Sequence, residues 1–359
     1  MSVADLALQR NKYKHLSDDE WRWFLQQVEG KERTAEKLPT FASIPDYWYP
    51  VRLSCEQCSS ELAARYKASL VSGEKMADLT GGYGVDTYFL SENFTHTDYV
   101  EQNAELCRIA THNFAHKPIT IHNTSAEEFL TLAGQYDLIF LDPARRDSHG
   151  GKVFRLEDCT PNVVELLPSL LAHSKRVLLK LSPMLDLTQA ITSLSQVTWD
   201  VYVVAIKNEV KEVLLLSNGS GQITAIDLAQ QDQAFTFTRE EESNSPFNFH
   251  LSPFTFLYEP STAILKTGAY KLIAERFHLL KLDVNTHLYA SDTLIPNFPG
   301  RVWKIIEKQD LKQANVLCRN YPLTPDQLKK KLHLRDGGTA FVIGCRVAGK
   351  PTLFFAERV

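Results

Sequence analysis

The sequence predicts an α/β protein: a doubly wound, mostly parallel sheet, with a helical segment before it and a smaller α+β module after it. Three observations carry this. From Lys75 onward, short apolar runs alternate with helical stretches, the pattern of a parallel sheet covered by helices on both faces. The rhythm then breaks: "WDVYVVAI" (199–206) and "EVLLLSN" (212–218) are separated only by "KNEVK", which is too short for a crossover helix, so these strands must be antiparallel neighbours. Finally, residues 261–350 hold 15 Lys and Arg against 7 Asp and Glu, a net of +8 in a chain whose overall charge is −4.

The first segment, residues 1–72, reads as helical. Ser17 with Glu20 three residues later makes a capping-box pattern ahead of an apolar stripe, and a further helix is expected to start at Ser59 or Ser60 and end at Gly73. Strands are expected at 75–80, 97–101, 118–122, 136–142 and 176–182, with helices at 85–92, 103–114, 125–133 and 160–172 between them. Five parallel βα units closed by the antiparallel hairpin make a Rossmann-like sheet of seven strands, in a domain spanning 73–240. Residues 219–260 are polar and Pro-containing and link or extend the sheet. The module at 261–359 opens with a helix at 262–278 and continues with short strands and a lysine-rich helix, "TPDQLKKKL" (324–332). It ends in a hairpin turning at Ala348-Gly349-Lys350.

Composition narrows the class. With 359 residues, 44% hydrophobic and 23% charged, the chain is ordinary for a globular protein. The N-terminus lacks the apolar core of a signal peptide, and no apolar run approaches the length needed to span a membrane. The six cysteines are scattered, and Cys55-x-x-Cys58 has no second pair or spaced histidines to complete a zinc site. We therefore expect free thiols, no metal and a reducing, cytoplasmic setting. The basic C-terminal third points to a polyanion partner.

The chemistry concentrates at the strand ends. "DLTGGYGVD" puts Asp78 at the end of the first strand, then Gly81, Gly82 and Gly84. Glycines in that number suit a turn where main-chain N–H groups approach a ligand closely. A dinucleotide fingerprint would need a third spaced glycine, and Thr87 stands there instead. Glu101 ends the next strand, 23 residues after Asp78, where an acid is suited to accept hydrogen bonds from ribose hydroxyls. "LDPARRD" places Asp142-Pro143 at the end of strand four. Arg145 and Arg146 beside it suit bidentate binding of a substrate phosphate. Lys180, Asn208 and Glu209 fall at the same end of the sheet.

Taken in order, these motifs resemble the class I S-adenosylmethionine (SAM)-dependent methyltransferases over roughly residues 55–218. "EQCSSE", "DLTGGYGVD", "LDPARRD", "KLSPMLD" and "GRVW" are most similar to a bacterial group of methyltransferase-like proteins with a C-terminal THUMP-like domain. The resemblance implies SAM as cofactor, held by Asp78 (at its ammonium), Gly81, Gly82, Gly84 and Glu101. It implies that Ser125 lies at the adenine, where the family commonly has Asp, and that Gln57 and Ser60 close over the methionine end. Asp142 is implied as the acid that orients the acceptor, with Arg145 at the substrate phosphate. THUMP domains bind tRNA, so the implied substrate is structured RNA, tRNA or rRNA, methylated at a base nitrogen. Ala144 and Arg145 depart from the Asp-Pro-Pro-aromatic pattern of amine methylases, so a SAM-fold RNA-binding protein without turnover stays open as an alternative. Ser182, standing where uracil-5 methyltransferases need a cysteine, disfavours covalent uracil chemistry.

Overall fold

The alternation read from Lys75 onward is realised in the computed structural model, which describes residues 3–145, 156–229, 234–246, 254–308 and 310–359. The chain divides into two compact units: Met1–Thr198 with Leu214–Asn218, and Trp199–Val213 with Gly219–Val359. None of the helices among the described residues is long and apolar enough to cross a membrane.

After short helical turns at Val3–Ala7 and Arg10–Tyr13, the first unit has α1 (Asp18–Thr34), whose capping box is formed as expected by Ser17 and Glu20. α2 (Arg52–Gln57) and α3 (Glu61–Ser69) follow, the latter capped by the Ser60 side chain. Then come β1 (Gly73–Asp78), α4 (Val85–Leu90), β2 (Phe94–Val100), α5 (Ala104–Asn113), β3 (Ile119–His122), α6 (Ala126–Leu132) and β4 (Tyr136–Leu141). After residues 146–155 the unit continues with α7 (Val163–His173), β5 (Ser174–Leu181) and α8 (Leu187–Ser193). β1 pairs in parallel with β2 and β4, β2 with β3, and β4 with β5. The central strands are apolar throughout because both faces are covered: Leu138, Ile139, Phe140 and Leu141 are all buried, as are Val177, Leu178 and Leu179.

The closing hairpin is β6 (Trp199–Ile206) and β7 (Glu209–Ser217). Its connection is tighter than the five residues expected. Lys207 and Asn208 both have positive φ, 53° and 61°, as a two-residue hairpin turn requires, so Glu209 to Lys211 belong to the strand. Two further strands, β8 (Gln222–Asp227) and β9 (Phe235–Thr238), extend the sheet. Its hydrogen-bonded order is β9-β8-β6-β7-β5-β4-β1-β2-β3. β8 lies parallel to β6, so residues 218–221 must cross the start of β6. Asp200 holds that crossing: its Oδ1 accepts from the Ser220 N (2.8 Å) and the Gln222 N (3.1 Å). Gly219 packs so closely on the Asp200 carboxyl that a Cβ there would lie 2.3 Å from it.

The rest of the second unit is a curled seven-stranded sheet. Its strands are β10 (Phe256–Pro260), β11 (Leu280–Lys281), β12 (Tyr289–Ser291), β13 (Gly300–Ile306), β14 (Asn315–Arg319), β15 (Ala340–Val347) and β16 (Lys350–Arg358). They are ordered β11-β12-β10-β13-β16-β15-β14. The helix expected over 262–278 is broken: α9 (Thr262–Thr267) ends at Gly268, which adopts φ +84°, and α10 (Leu272–Arg276) starts afresh. α11 (Pro325–Lys331) carries a capping box from Thr324 and Gln327. The final hairpin turns at Ala348-Gly349, with φ 49° and 77°.

Candidate active site

In a parallel sheet, ligands sit beyond the carboxyl ends of the strands. Here a cavity of ≈ 350 Å³ opens there, and Gln57, the glycine turn, Glu101, Asp142 and Lys180 all contribute to its wall. The turn is built from the bottom by its aromatic floor. A Cβ on Gly81 would lie 2.2 Å from the Tyr99 ring, so only glycine lets the chain pass over it. The Tyr99 hydroxyl donates to the Gly82 carbonyl at 2.6 Å. Gly82 itself adopts φ +54°, and a Cβ there would meet no protein atom nearer than 3.7 Å. Its N–H donates to Glu101 Oε2 at 2.9 Å, while Glu101 Oε1 accepts from the Asn103 N–H at 2.8 Å. Each of these carboxylate oxygens keeps a second lone pair.

Asp78 lies fully buried beneath the turn. Its Oδ1 accepts from the Thr80 N–H (3.0 Å), and its Oδ2 from the Thr87 hydroxyl (2.6 Å). Burial pushes its pKa up to about 7 against the opposing pull of these hydrogen bonds, and the nearby carboxylates of Asp86 and Asp142 add to the rise. An unfolded aspartate titrates near pH ~3.9, so between roughly pH 4 and 7 the folded chain holds a proton that the unfolded chain has lost. The stability from this group is full below that window and is lost as pH rises through it, by up to about 1.4 kcal/mol per pH unit. Urea unfolding from pH 4.5 to 8 should therefore show the stability of the parent falling relative to Asp78→Asn up to about pH 7 and levelling above it. A difference independent of pH would contradict this assignment.

A chain of alternating charges runs from the buried Lys67 to the cavity wall, where Asp86, Lys180 and Asp142 stand. Lys67, whose side chain is completely buried, pairs with Asp86 Oδ1 at 3.2 Å. Lys180 Nζ lies 3.4 Å from Asp86 Oδ2 and makes a very short contact with Asp142 Oδ2. Ser59 donates to Asp86 Oδ2 at 2.8 Å. Burial by itself would raise the Asp86 pKa, but the two ammonium groups and the Ser59 hydroxyl outweigh it and hold the carboxyl below its ordinary range. Asp142 is the exposed end of the chain, with 41% of its side chain accessible. Its N–H donates to the Thr80 hydroxyl at 2.7 Å, which ties the end of β4 to the glycine turn.

Known proteins resemble this chain over most of its length. An uncharacterised S-adenosylmethionine-dependent methyltransferase of Mycobacterium tuberculosis, found in two strains, is 21% identical over 340 residues, covering 90% of this chain and 92% of its own length. Residues 256–299 match a family described as a ferredoxin-like domain, and 295–358 one described as THUMP domain-like. The crystal structure of a protein of Porphyromonas gingivalis W83, described as a candidate methyltransferase, superposes with a TM-score of 0.86 at 33% identity. The match covers 96% of this chain and 92% of that one. The chain belongs to the class I SAM-dependent methyltransferases with a C-terminal THUMP-like domain.

Within this methyltransferase the residues singled out from sequence have different fates. Asp78, Gly81, Gly82, Gly84, Glu101, Gln57 and Asp142 all border the one cavity. Ser60 and Ser125 do not: each caps a helix, accepting from the N–H of Ala63 (3.3 Å) and Glu128 (3.1 Å) respectively. The neighbour Ser59, not Ser60, reaches the charge chain. The Arg145 side chain and the whole of Arg146 lie outside the described residues, although the Ala144–Arg145 backbone pairs with Cys159–Thr160. Asn208 ties the hairpin to α9, accepting from the Thr262 N–H at 2.8 Å, and Glu209 pairs with Lys211. Asp86 and Lys67 had no place in the sequence reading. Their signal was a lone acid in the otherwise apolar "GVDTYFL" and a lone lysine on the alanine face of "ELAARYKAS".

Proposed function

We propose that this methyltransferase acts on structured RNA, tRNA or rRNA, at a base nitrogen. The carrying observation is that Asp142 stands at the cavity beside the glycine turn with one oxygen held by Lys180 and the other open. The cavity fits SAM on its own geometry: a Cβ on Gly82 would meet only the Thr80 carbonyl, at 3.7 Å, and Glu101 offers acceptor lone pairs beside the turn. Asp78, Gly81, Gly82, Gly84 and Glu101 would hold the cofactor, Gln57 would close its near side, and Asp78 would also keep the turn in shape from below. When bound, SAM supplies an electrophilic methyl group on a sulfonium.

The chain's own contribution is positioning. With Oδ2 engaged by Lys180, Asp142 Oδ1 accepts an N–H from the target amine and turns its lone pair toward the methyl group. The same carboxylate is placed to take the proton that the nitrogen must shed. Lys180, braced on Asp86, keeps Asp142 from swinging into solvent. RNA as the substrate is supported by the THUMP-like match and by the net charge of +8 over residues 261–350.

The test is transfer of labelled methyl from SAM to total RNA taken from a strain lacking the gene. Asp142→Ala should lose transfer by about 10²-fold or more while its SAM affinity stays within a few-fold of the parent. Near-normal transfer by the variant would remove Asp142 from the chemistry. Absence of any transfer by the parent, with SAM bound, would favour the RNA-binding protein without turnover.

A further inference from the structure

The lysine-rich helix is the obvious place to look for RNA contacts, but its charge is partly spent. Lys329 is held by Asp326 (3.0 Å) and Asp336 (2.8 Å), leaving Lys330, Lys331 and Arg335 exposed on that face. A different cluster in the same unit has a fixed excess of positive charge. Glu259 is 2% exposed, and both of its oxygens are engaged by arginines. Arg301 contacts Oε2 at 2.5 Å, and the Arg319 Nε makes a very short contact with Oε1.

The placement follows from strand alternation. Residues two apart share a face of a sheet: Leu257 with Glu259, Trp303 with Arg301, and Leu317 with Arg319. Leu257, Trp303 and Leu317 pack in one apolar core, so the three charged side chains lie together at the end of that core. Arg301 stands opposite Glu259 in the β10–β13 ladder. Arg319 comes from the edge strand β14, brought round by the curl of the sheet.

A buried carboxylate needs a counter-charge, and one guanidinium is sufficient for neutrality. Here there are two, so the trio carries +1. Both arginines stay accessible, with 30% and 37% of their side chains exposed. Each guanidinium has five N–H donors in a rigid fork. Arg301 meets Glu259 as an ion pair, while Arg319 gives its Nε to Glu259 and Nη1 to the Cys318 carbonyl (3.0 Å). The buried glutamate also removes the usual entropic penalty of an arginine contact, because both side chains are fixed before any ligand arrives.

We propose that Arg301 and Arg319, held at fixed spacing by Glu259, form a binding site for a phosphodiester of the RNA substrate. This rests on the RNA reading given above and makes Arg301, the arginine of the "GRVW" motif, a recognition residue. The two forks offer converging donors to the non-bridging oxygens, and Glu259 sits behind them, away from the ligand.

Anisotropy with a labelled 20-nucleotide oligouridylate and with bulk tRNA, over a KCl series, tests the site. We expect Arg301→Gln with Arg319→Gln to weaken binding by about tenfold or more and to flatten the plot of log K against log salt by roughly 0.7–0.9 per lost phosphate contact. Lys329→Ala, already neutralised by two acids, should change neither. Because an unpaired Glu259 could unfold the unit, the Glu259→Gln/Arg319→Gln pair is the second variant. It removes the buried charge and one fork together, and should melt near the parent yet lose about one contact of slope. If the parent shows no salt-dependent RNA binding, the RNA reading itself fails. If the parent binds and folded variants bind with the same affinity and slope, the arginine pair is a structural plug only and the RNA reading survives without it.

Discussion

Replacing Asp86 by alanine should destabilise the first unit by about 3–5 kcal/mol, the largest loss expected from any single polar change in the cavity. The reason is Lys67. Its ammonium is fully buried and its ion pair with Asp86 spans 3.2 Å, so the substitution leaves a buried positive charge without that counter-charge. Lys180, only 12% exposed, loses its contact with Asp86 at the same time. The two halves of the effect separate in a double-variant cycle. Lys67→Met with Asp86→Leu removes both charges and replaces them with apolar volume, and should recover most of the loss, since a buried pair often contributes little net stability although breaking it is costly. Urea unfolding of the four proteins measures it. Additive losses in the double variant would show that the two residues act independently.

Gly82→Val should reduce SAM binding from the micromolar range, about −8 kcal/mol, to an undetectable level by calorimetry. Gly82 lines the cavity, and its Cβ direction is open, so an added side chain would fill the space proposed for the cofactor. It also forces a β-branched residue into φ +54°, which costs roughly 1–2 kcal/mol in the fold. Gly81→Ala separates space from strain. At Gly81 the new methyl would strike the Tyr99 ring at 2.2 Å, so the loss there should appear in melting temperature more than in affinity per folded molecule. Retained micromolar affinity in folded Gly82→Val would move the cofactor away from the turn.

Much of this architecture can be read from local signals. Capping boxes at Ser17 and Thr324 mark helix starts because the pattern lies within four residues. The glycine turn and the acids at strand ends show themselves because strand, turn and helix are contiguous in sequence. The lysine–aspartate chain does not: Asp142 and Lys180 can be placed at strand ends, but Lys67 and Asp86 look like isolated charges in their own helices, and only the fold brings the four together. The same holds for Glu259, which falls in a segment read as a link and becomes meaningful only when β13 and β14 bring their arginines to it. Gly268 shows the opposite case: the apolar run predicts one helix over 262–278, yet the glycine within it ends α9 and α10 starts afresh at Leu272. Ser60 against Ser59 shows the limit of resolution, since a one-residue shift decides between a helix cap and the charge chain.

The crossing held by Asp200 bears on the order of events during folding. β6, β7 and β8 occupy residues 199–227, joined by a two-residue turn and a four-residue crossing, and they are adjacent in the sheet. Closing such short loops costs little chain entropy, whereas the β1 pairing with β4 must close a loop of some sixty residues. This block therefore offers an early, low-contact-order template beside the slower long-range pairing of β1 with β4. The short crossing also makes it uneven: β7 and β8 flank β6 only if the chain passes over the start of β6, so a longer or looser 218–221 segment would let β8 dock elsewhere. Gly219, closely packed on Asp200, keeps that passage narrow and so guards the pathway as well as the finished sheet.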